Sequence, residues 1–234
     1  MGRSQDSTSE VTRKEVMKIR PKRGNNTWHP TWVLRTKGDE TVLNRSKVAL
    51  FCSVKCPGKL ILDTYDLAKR FRDDGITVIS GFHSPMEQEC LRILLRSQNP
   101  VIWCLARGLY HRIPSKPVDC RLAVNEGRLV MVTPFPDTVR YITAETATTR
   151  NRLVVELASI VVVSHAAHGG KMETLCLDIL AEDKPLYTFD HSANTALIEA
   201  GAIKIGESTN WQLVASASTG ASIGRAGTEI SSGS

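Results

Sequence analysis

The segment Ser164-His165-Ala166-Ala167-His168-Gly169-Gly170-Lys171 joins an all-apolar run to an amphipathic one. Paired glycines let backbone approach an anion, and a helix starting at Lys171 would offer free N–H groups to it. Lys171 adds a full positive charge. The loop lacks the Gly-Lys-Ser/Thr element of a Walker A motif. An ordinary strand-to-helix turn would use the same residues. Ser80-Gly81-Phe82-His83-Ser84-Pro85 has the same character. Ser84 with Glu87 three residues on forms a capping box, and capping alone explains half of that motif. Arg150-Asn151-Arg152 brings two guanidinium groups that could clamp phosphates bidentately, or could lie on a solvated helix face. His165 and His168 form an H-x-x-H pair, too few ligands for a metal site of three or four, and no metal is expected. No G-x-S-x-G elbow is present and nothing points to a Ser-His-Asp triad. Asp63, Asp66, Glu87 and Glu89 are expected as helix-surface charges. Cys52, Cys56, Cys90, Cys104, Cys120 and Cys176 form no C-x-x-C pair and are expected as free, buried thiols.

These residues need elements to position them. Residues 47–54 (KVALFCSV) read as a strand, and 60–74 as a helix with Leu60, Leu62, Leu67, Ala68 and Phe71 at helical spacing, stopped by Gly75. Residues 76–80 form a second strand. A helix over 85–96 follows, with Pro85 in its first turn. Strands are predicted at 101–105 and 128–133, then a helix at 150–157 and a strand at 159–164 (SIVVVS). A helix at 171–182, a strand at 185–189 and a short helix at 194–200 complete the alternation. Strands without polar alternation are buried on both faces, so helices must cover both sides. The prediction is an α/β fold with a doubly wound, mainly parallel sheet, Rossmann-like, with flexible tails. Functional residues of such folds collect at the carboxyl ends of strands, here 53–55, 80–83, 106–108 and 164–171.

The 234 residues carry 30 Lys+Arg and 24 Asp+Glu, a net charge of +6. Residues 1–25 hold seven basic and three acidic residues, 7 − 3 = +4, which leaves +2 for the other 209. The expected organisation is a basic flexible arm over 1–27, a Rossmann-like domain over 28–205 and a flexible C-terminal tail over 206–234. That tail is expected to hold one short ordered piece at 211–214. Hydrophobic residues at 41% fit a globular middle. No apolar run reaches the ~18–20 residues of a membrane span, and the start lacks an apolar signal core, so a cytoplasmic protein without a membrane partner is expected.

Taken in order, the motifs resemble the DprA/Smf family, Rossmann-like DNA-processing proteins that bind single-stranded DNA. The resemblance runs over residues 30–202. The family's first strand ends in Gly-Ser-Arg, where this chain has Cys52-Ser53-Val54-Lys55. Its Ser-Gly-Leu-Ala-Arg-Gly loop is similar to the segment that starts at Ser80. Its third strand, with Gly-Leu-Asp and Tyr-Pro after it, is similar to 101–114, which includes Arg107, Gly108, Tyr110 and Pro114. The Arg-Asn-Arg helix and valine-rich strand match Arg150-Asn151-Arg152 and 160–163. The Ser-Gly-Ser-x-x-Thr loop resembles Gly169-Gly170-Lys171-Met172-Glu173-Thr174, and the closing Leu-Ile-x-x-Gly-Ala is 197–202. The arginine of the first motif is Val54 here, with Lys55 one place on, and that of the second is Ser84. The flanking sterile-alpha-like and winged-helix domains common in the family find no room in this length.

The resemblance implies a single-stranded-DNA-binding protein acting in DNA processing or recombination without catalysis, as a homodimer and with no cofactor. Ser53, Lys55, Ser80, Gly81, Gly169, Gly170, Lys171 and Thr174 would supply donors to phosphates, and Arg107, Arg150 and Arg152 the charge. Phe82 or Tyr110 would stack on a base, or sit in the core. Two alternatives share the superfamily shape. One is a sensor of a small nucleotide ligand. The other is a nucleoside-monophosphate phosphoribohydrolase of the "lonely guy" type, whose Pro-Gly-Gly-x-Gly-Thr and Glu-Glu hallmark is echoed only by Gly169-Gly170. Thr174 is followed by Leu175 and Cys176, so the catalytic glutamate such an enzyme needs is not where it should be, and Glu173 is the only nearby carboxylate.

Overall fold

Apolar four- and five-residue runs account for the centre of this molecule. The structure, a computed structural model, describes residues 17–19, 32–109, 119–207 and 209–220. In chain order the elements are β1 (Met17–Ile19), β2 (Trp32–Lys37), β3 (Lys47–Phe51), α1 (Gly58–Asp73), β4 (Thr77–Ser80) and α2 (Pro85–Leu94). There follow β5 (Val101–Cys104), α3 (Cys120–Asn125), β6 (Leu129–Thr133), α4 (Ala144–Leu157) and β7 (Ile160–Val163). The chain closes with α5 (Lys171–Ala181), β8 (Leu186–Thr188), α6 (Thr195–Glu199), β9 (Ile203–Lys204) and α7 (Trp211–Gly220).

Among the described residues the strands form one nine-stranded sheet, ordered β1-β2-β6-β5-β4-β3-β7-β8-β9. Strands β3 to β9 run parallel. β2 joins β6 antiparallel, and β1 joins β2 antiparallel. The chain winds outward from β3 through β4, β5 and β6, then returns to the other side of β3 as β7. This is the predicted doubly wound sheet, with its switch point between β3 and β7.

Successive residues of the central strands feed opposite faces. Val48 and Leu50 pack with α1, α2 and Trp211 of α7, while Ala49 and Phe51 pack with Leu153 and Val154 of α4 and Cys176 and Ile179 of α5. Each of the larger of these, such as Leu50, Phe51 and Ile179, contributes roughly 1.5–3 kcal/mol by leaving water. The six cysteines are free thiols, all buried but the half-buried Cys56.

Several elements were not read from the sequence. β2 (WVLRTK) is an edge-side antiparallel strand with polar residues in it. α3 has six residues, too few to show a period. α4 begins at Ala144 and not at Arg150, because Thr143 and Thr146 cap it reciprocally. α7 extends from Trp211 to Gly220, and fully buried Trp211 packs edge-on against Phe71 and Tyr187. Met17–Ile19, within the expected arm, pairs with β2. The rest of that arm, Tyr110 and Pro114, and residues 221–234 lie outside the described residues.

Candidate functional site

The loops at the carboxyl ends of β3, β4, β5, β6 and β7 lie side by side along the sheet. At the switch point, Ser53 ties two of them together. Its N–H donates to the His165 carbonyl (2.9 Å) and its hydroxyl oxygen accepts from the Ala167 N–H (3.0 Å). Ser53 is thus a clasp between the β3–α1 and β7–α5 loops. Lys55 on the first loop and Lys171 at the start of α5 are both exposed. The β7 loop is anchored on its far side by fully buried Asn194. Its amide nitrogen donates to the carbonyls of Ser164 (3.0 Å) and Phe189 (3.3 Å), so its oxygen faces His165 Nδ1 at 3.0 Å. Nδ1 therefore carries a proton, and in the neutral ring Nε2 is the bare nitrogen.

His168 points elsewhere. Its Nδ1 lies 3.1 Å from Glu173 Oε1, and the Gly169 N–H donates to Glu173 Oε2 at 2.7 Å. The Gly170 N–H donates to the Ala167 carbonyl (3.0 Å), and a Cβ there would stand 2.8 Å from that oxygen. The Gly169 N–H, backed by His168, holds the Glu173 carboxyl below the usual carboxylate range. Thr174 is exposed, and its N–H closes the first turn of α5 on the Gly170 carbonyl. The two histidines thus have separate partners, and among the described residues no group of three or more His, Cys, Asp or Glu could hold a metal ion.

The β4–α2 loop repeats this capping in the interior. Ser84 and Glu87 form the predicted capping box. Glu87, expected on the helix surface, is instead buried. Its carboxylate accepts from Cys52 N–H (3.2 Å), His83 N–H (2.8 Å) and Ser84 N–H (3.3 Å), so one side chain gathers the β3 and β4 loops. Burial pushes this carboxyl above its usual range, against the pull of those donors and of the Arg150 charge. Sequence reasoning had no signal that would turn Glu87 inward, since the capping box alone satisfied it. Asp63 and Asp66 do lie on the α1 surface, paired with Lys59 and Lys69, and Glu89 pairs with Arg92 on α2.

Arg150 is buried beneath the β4 loop. Its Nη1 contacts the Cys104 carbonyl (3.4 Å) and its Nε donates to Asn151 (2.7 Å). A Cβ on Gly81 would fall 1.7 Å from that Nη1, so Gly81 is what makes room for the guanidinium. Ser80 is fully buried, with its hydroxyl donating to the Leu50 carbonyl (2.7 Å). Phe82 is a core side chain, held by a backbone at φ 42°. Arg152 is exposed and pairs with Asp178 of α5 (2.9 Å). Asp178 lies seven residues past Lys171, about 10 Å down the helix.

At the other end of the row, half-buried Arg107 follows β5. The Thr133 hydroxyl of β6 bonds its carbonyl (2.7 Å). Gly108 N–H donates to the Val139 carbonyl (2.9 Å), and a Cβ on Gly108 would meet the Pro136 oxygen at 2.5 Å. The β5 and β6 loops are therefore in backbone contact. Beyond Val139 come exposed Arg140 and Tyr141, the latter 81% exposed. Neither was singled out in the sequence, although an arginine beside an aromatic in a strand-to-helix loop was the available signal. In all, the structure gathers Ser53, Lys55, Gly169, Gly170, Lys171 and Thr174 around the switch point. It sets Arg107 further along the edge, puts Ser80, Gly81 and Arg150 underneath, and places Arg152 on the α4–α5 face.

A doubly wound parallel sheet with its short glycine- and serine-bearing loops at the switch point defines a Rossmann-like α/β protein. The family model described as DNA recombination-mediator protein A matches residues 17–217, and the chain belongs to that family, the one its loop motifs resemble. The fold is similar to DNA processing protein A from Helicobacter pylori, at 18% identity and a TM-score of 0.65, over 81% of this chain and 87% of that one. That structure is described as showing a single-stranded DNA binding mode. DNA processing protein A from Streptococcus pneumoniae is similar at 18% identity and a TM-score of 0.62, over 75% of this chain and 64% of that one. This chain thus spans less than two thirds of the Streptococcus pneumoniae chain. Comparison with the curated proteins finds no match. Family membership places the chain among DNA-processing proteins. No helix of the described residues is long and apolar enough to cross a membrane.

Proposed function

We propose that this protein binds single-stranded DNA along the carboxyl edge of its sheet and acts in DNA processing without catalysing a reaction, as a cytoplasmic homodimer. The observation that carries this reading is the pair of exposed cations, Lys55 and Lys171, on two loops that Ser53 clasps together at the switch point. Phosphates attract such cations and release counterions on binding. Arg107 continues the row. Ser80, Gly81, Glu87 and Arg150 shape the loops from below, and Arg152 serves the α4–α5 contact. Gly169, Gly170 and Thr174 form the wall of the β7 loop.

The test is fluorescence anisotropy with labelled single-stranded and duplex DNA. If three cations each meet one phosphate, affinity for a single strand falls about 20-fold between 50 and 200 mM salt. Lys171→Ala is expected to weaken single-strand binding and flatten its salt dependence, with duplex bound more weakly throughout. Binding insensitive to both salt and Lys171→Ala would refute the reading. No binding at either salt would turn attention to a small nucleotide as the ligand.

A further inference from the structure

We propose that Tyr141 is a base-stacking platform at the far end of a single-strand path that crosses the sheet edge from the β7–α5 loop to the β6–α4 loop. This rests on the single-strand reading above and adds to it a direction, a length and a contact to bases.

Tyr141 is 81% exposed, the most exposed of the large hydrophobic side chains described. An aromatic ring in that position gains nothing from the core. It is also held in place. Its loop is docked on the β5 loop by the Gly108–Val139 hydrogen bond and by the close approach of Gly108 to Pro136 and Asp137, and Thr143 caps α4 two residues later. The backbone on either side of the ring is therefore fixed before a ligand arrives. Arg140 lies next to Tyr141 in the chain, and Arg107 precedes the Gly108 that bonds Val139, so both loops that meet here carry an arginine, a residue type that suits a phosphate beside a stacked base. Ile142, half exposed, extends the apolar surface. A protein partner would be the rival occupant; Asp137 and Glu145 on the same stretch balance the two arginines, so what favours a nucleic acid is the position of this loop on the same sheet edge as Lys55 and Lys171.

The sheet order fixes the span. From β7 to β6 there are four strand steps, through β3, β4 and β5. At about 4.8 Å per step this is ~19 Å. A strand stacked at ~3.4 Å per nucleotide covers that in five or six nucleotides. A ligand anchored at Lys171 must reach this length before Tyr141 can touch it.

The experiment uses the full chain, wild type beside Tyr141→Ala, Tyr141→Phe and Lys171→Ala, with labelled thymidine oligonucleotides of 3 and 12 residues and a 12-residue abasic strand. Tyr141→Ala is expected to weaken binding of the 12-mer by about 5- to 150-fold. It leaves the 3-mer and the abasic strand unaffected, and Tyr141→Phe binds as wild type. If Lys171→Ala weakens the 12-mer while Tyr141→Ala does not, the stacking assignment is overturned and the single-strand reading stands. An equal loss on the abasic strand also overturns it, because bases are then not what Tyr141 contacts. If wild type binds no 12-mer, the single-strand reading fails and this inference fails with it.

Discussion

Glu87 and Glu173 stand at the same position of their helices, third in the first turn, and both reach back to the N–H two residues before that helix begins. One is buried and shares its surroundings with Arg150. The other is 15% exposed and faces a histidine that is 94% exposed. Glu87 is thus fixed, whereas Glu173 is an anion at the surface beside Lys171, in the path proposed for phosphates. Removing its charge should strengthen single-strand binding. We expect Glu173→Gln to raise affinity several-fold at 50 mM salt and little at 500 mM, read by anisotropy, because the repulsion it relieves is screened within about a Debye length. Unchanged affinity at low salt would show that no phosphate comes near the glycine pair. The sequence made Gly169-Gly170-Lys171 conspicuous, but the partner of the Gly169 N–H could not be read from it. Whether a loop amide is free or taken depends on a side chain folding back, and Glu173 carries no mark distinguishing it from a solvated charge. Arg150 was hidden for the same reason. Its burial follows from Gly81 lacking a Cβ, a relation between residues 69 positions apart.

Elements wholly inside the molecule were the legible ones. KVALF, TVIS, VIWC, LVMVT and IVVV have no polar alternation, and only a strand covered on both faces tolerates that. Edge pieces escaped because their patterns are mixed. β2 buries Trp32 and Leu34 but exposes Val33 and leaves Arg35, Thr36 and Lys37 half-buried, and α7 is built from small side chains whose period is carried by Trp211 and Ala215. The start of α4, AETATT, has no apolar side chain larger than alanine and carries three β-branched threonines. The other end of α4 is held by two lysines. Lys47 Nζ donates to the Leu157 carbonyl (3.1 Å), and Lys184 Nζ to that of Val155. Lys47 opens β3 and is buried, which pushes its pKa down to about 8 from 10.5. Below pH 8 it is charged in both folded and unfolded chains, and the fold carries the full burial cost. Between about pH 8 and 10.5 the folded chain has released the proton and the unfolded chain still holds it, so stability rises with pH. The gain is on the order of 3 kcal/mol. Guanidinium unfolding at pH 7.5 and 10.5 is the check. Lys47→Met should be more stable than wild type at the lower pH, and the two should converge at the higher. Parallel profiles would mean that the ammonium is well solvated where it stands.

At the scale of the whole molecule, the charge is divided between two places. Of the net +6, residues 1–25 account for +4, while the sheet edge depends on a few placed cations. The two should act differently. Replacing Arg20, Lys22 and Arg23 with Gln is expected to lower duplex and single-strand affinity by similar factors, whereas Lys171→Ala should lower single-strand affinity more. Comparing both variants on both ligands separates general attraction from a shaped path, and equal effects of the two would leave no role for the edge. The return of the chain to β3 also matters before the fold is complete. Val48 pairs with Ile160, 112 residues later. At about 5–20 residues per second, a chain leaving the ribosome has made β3 roughly 6–22 s before β7 exists to cover it. Throughout that interval a strand whose every residue ends up buried has one open edge, and nascent-chain chaperones have that long to find it.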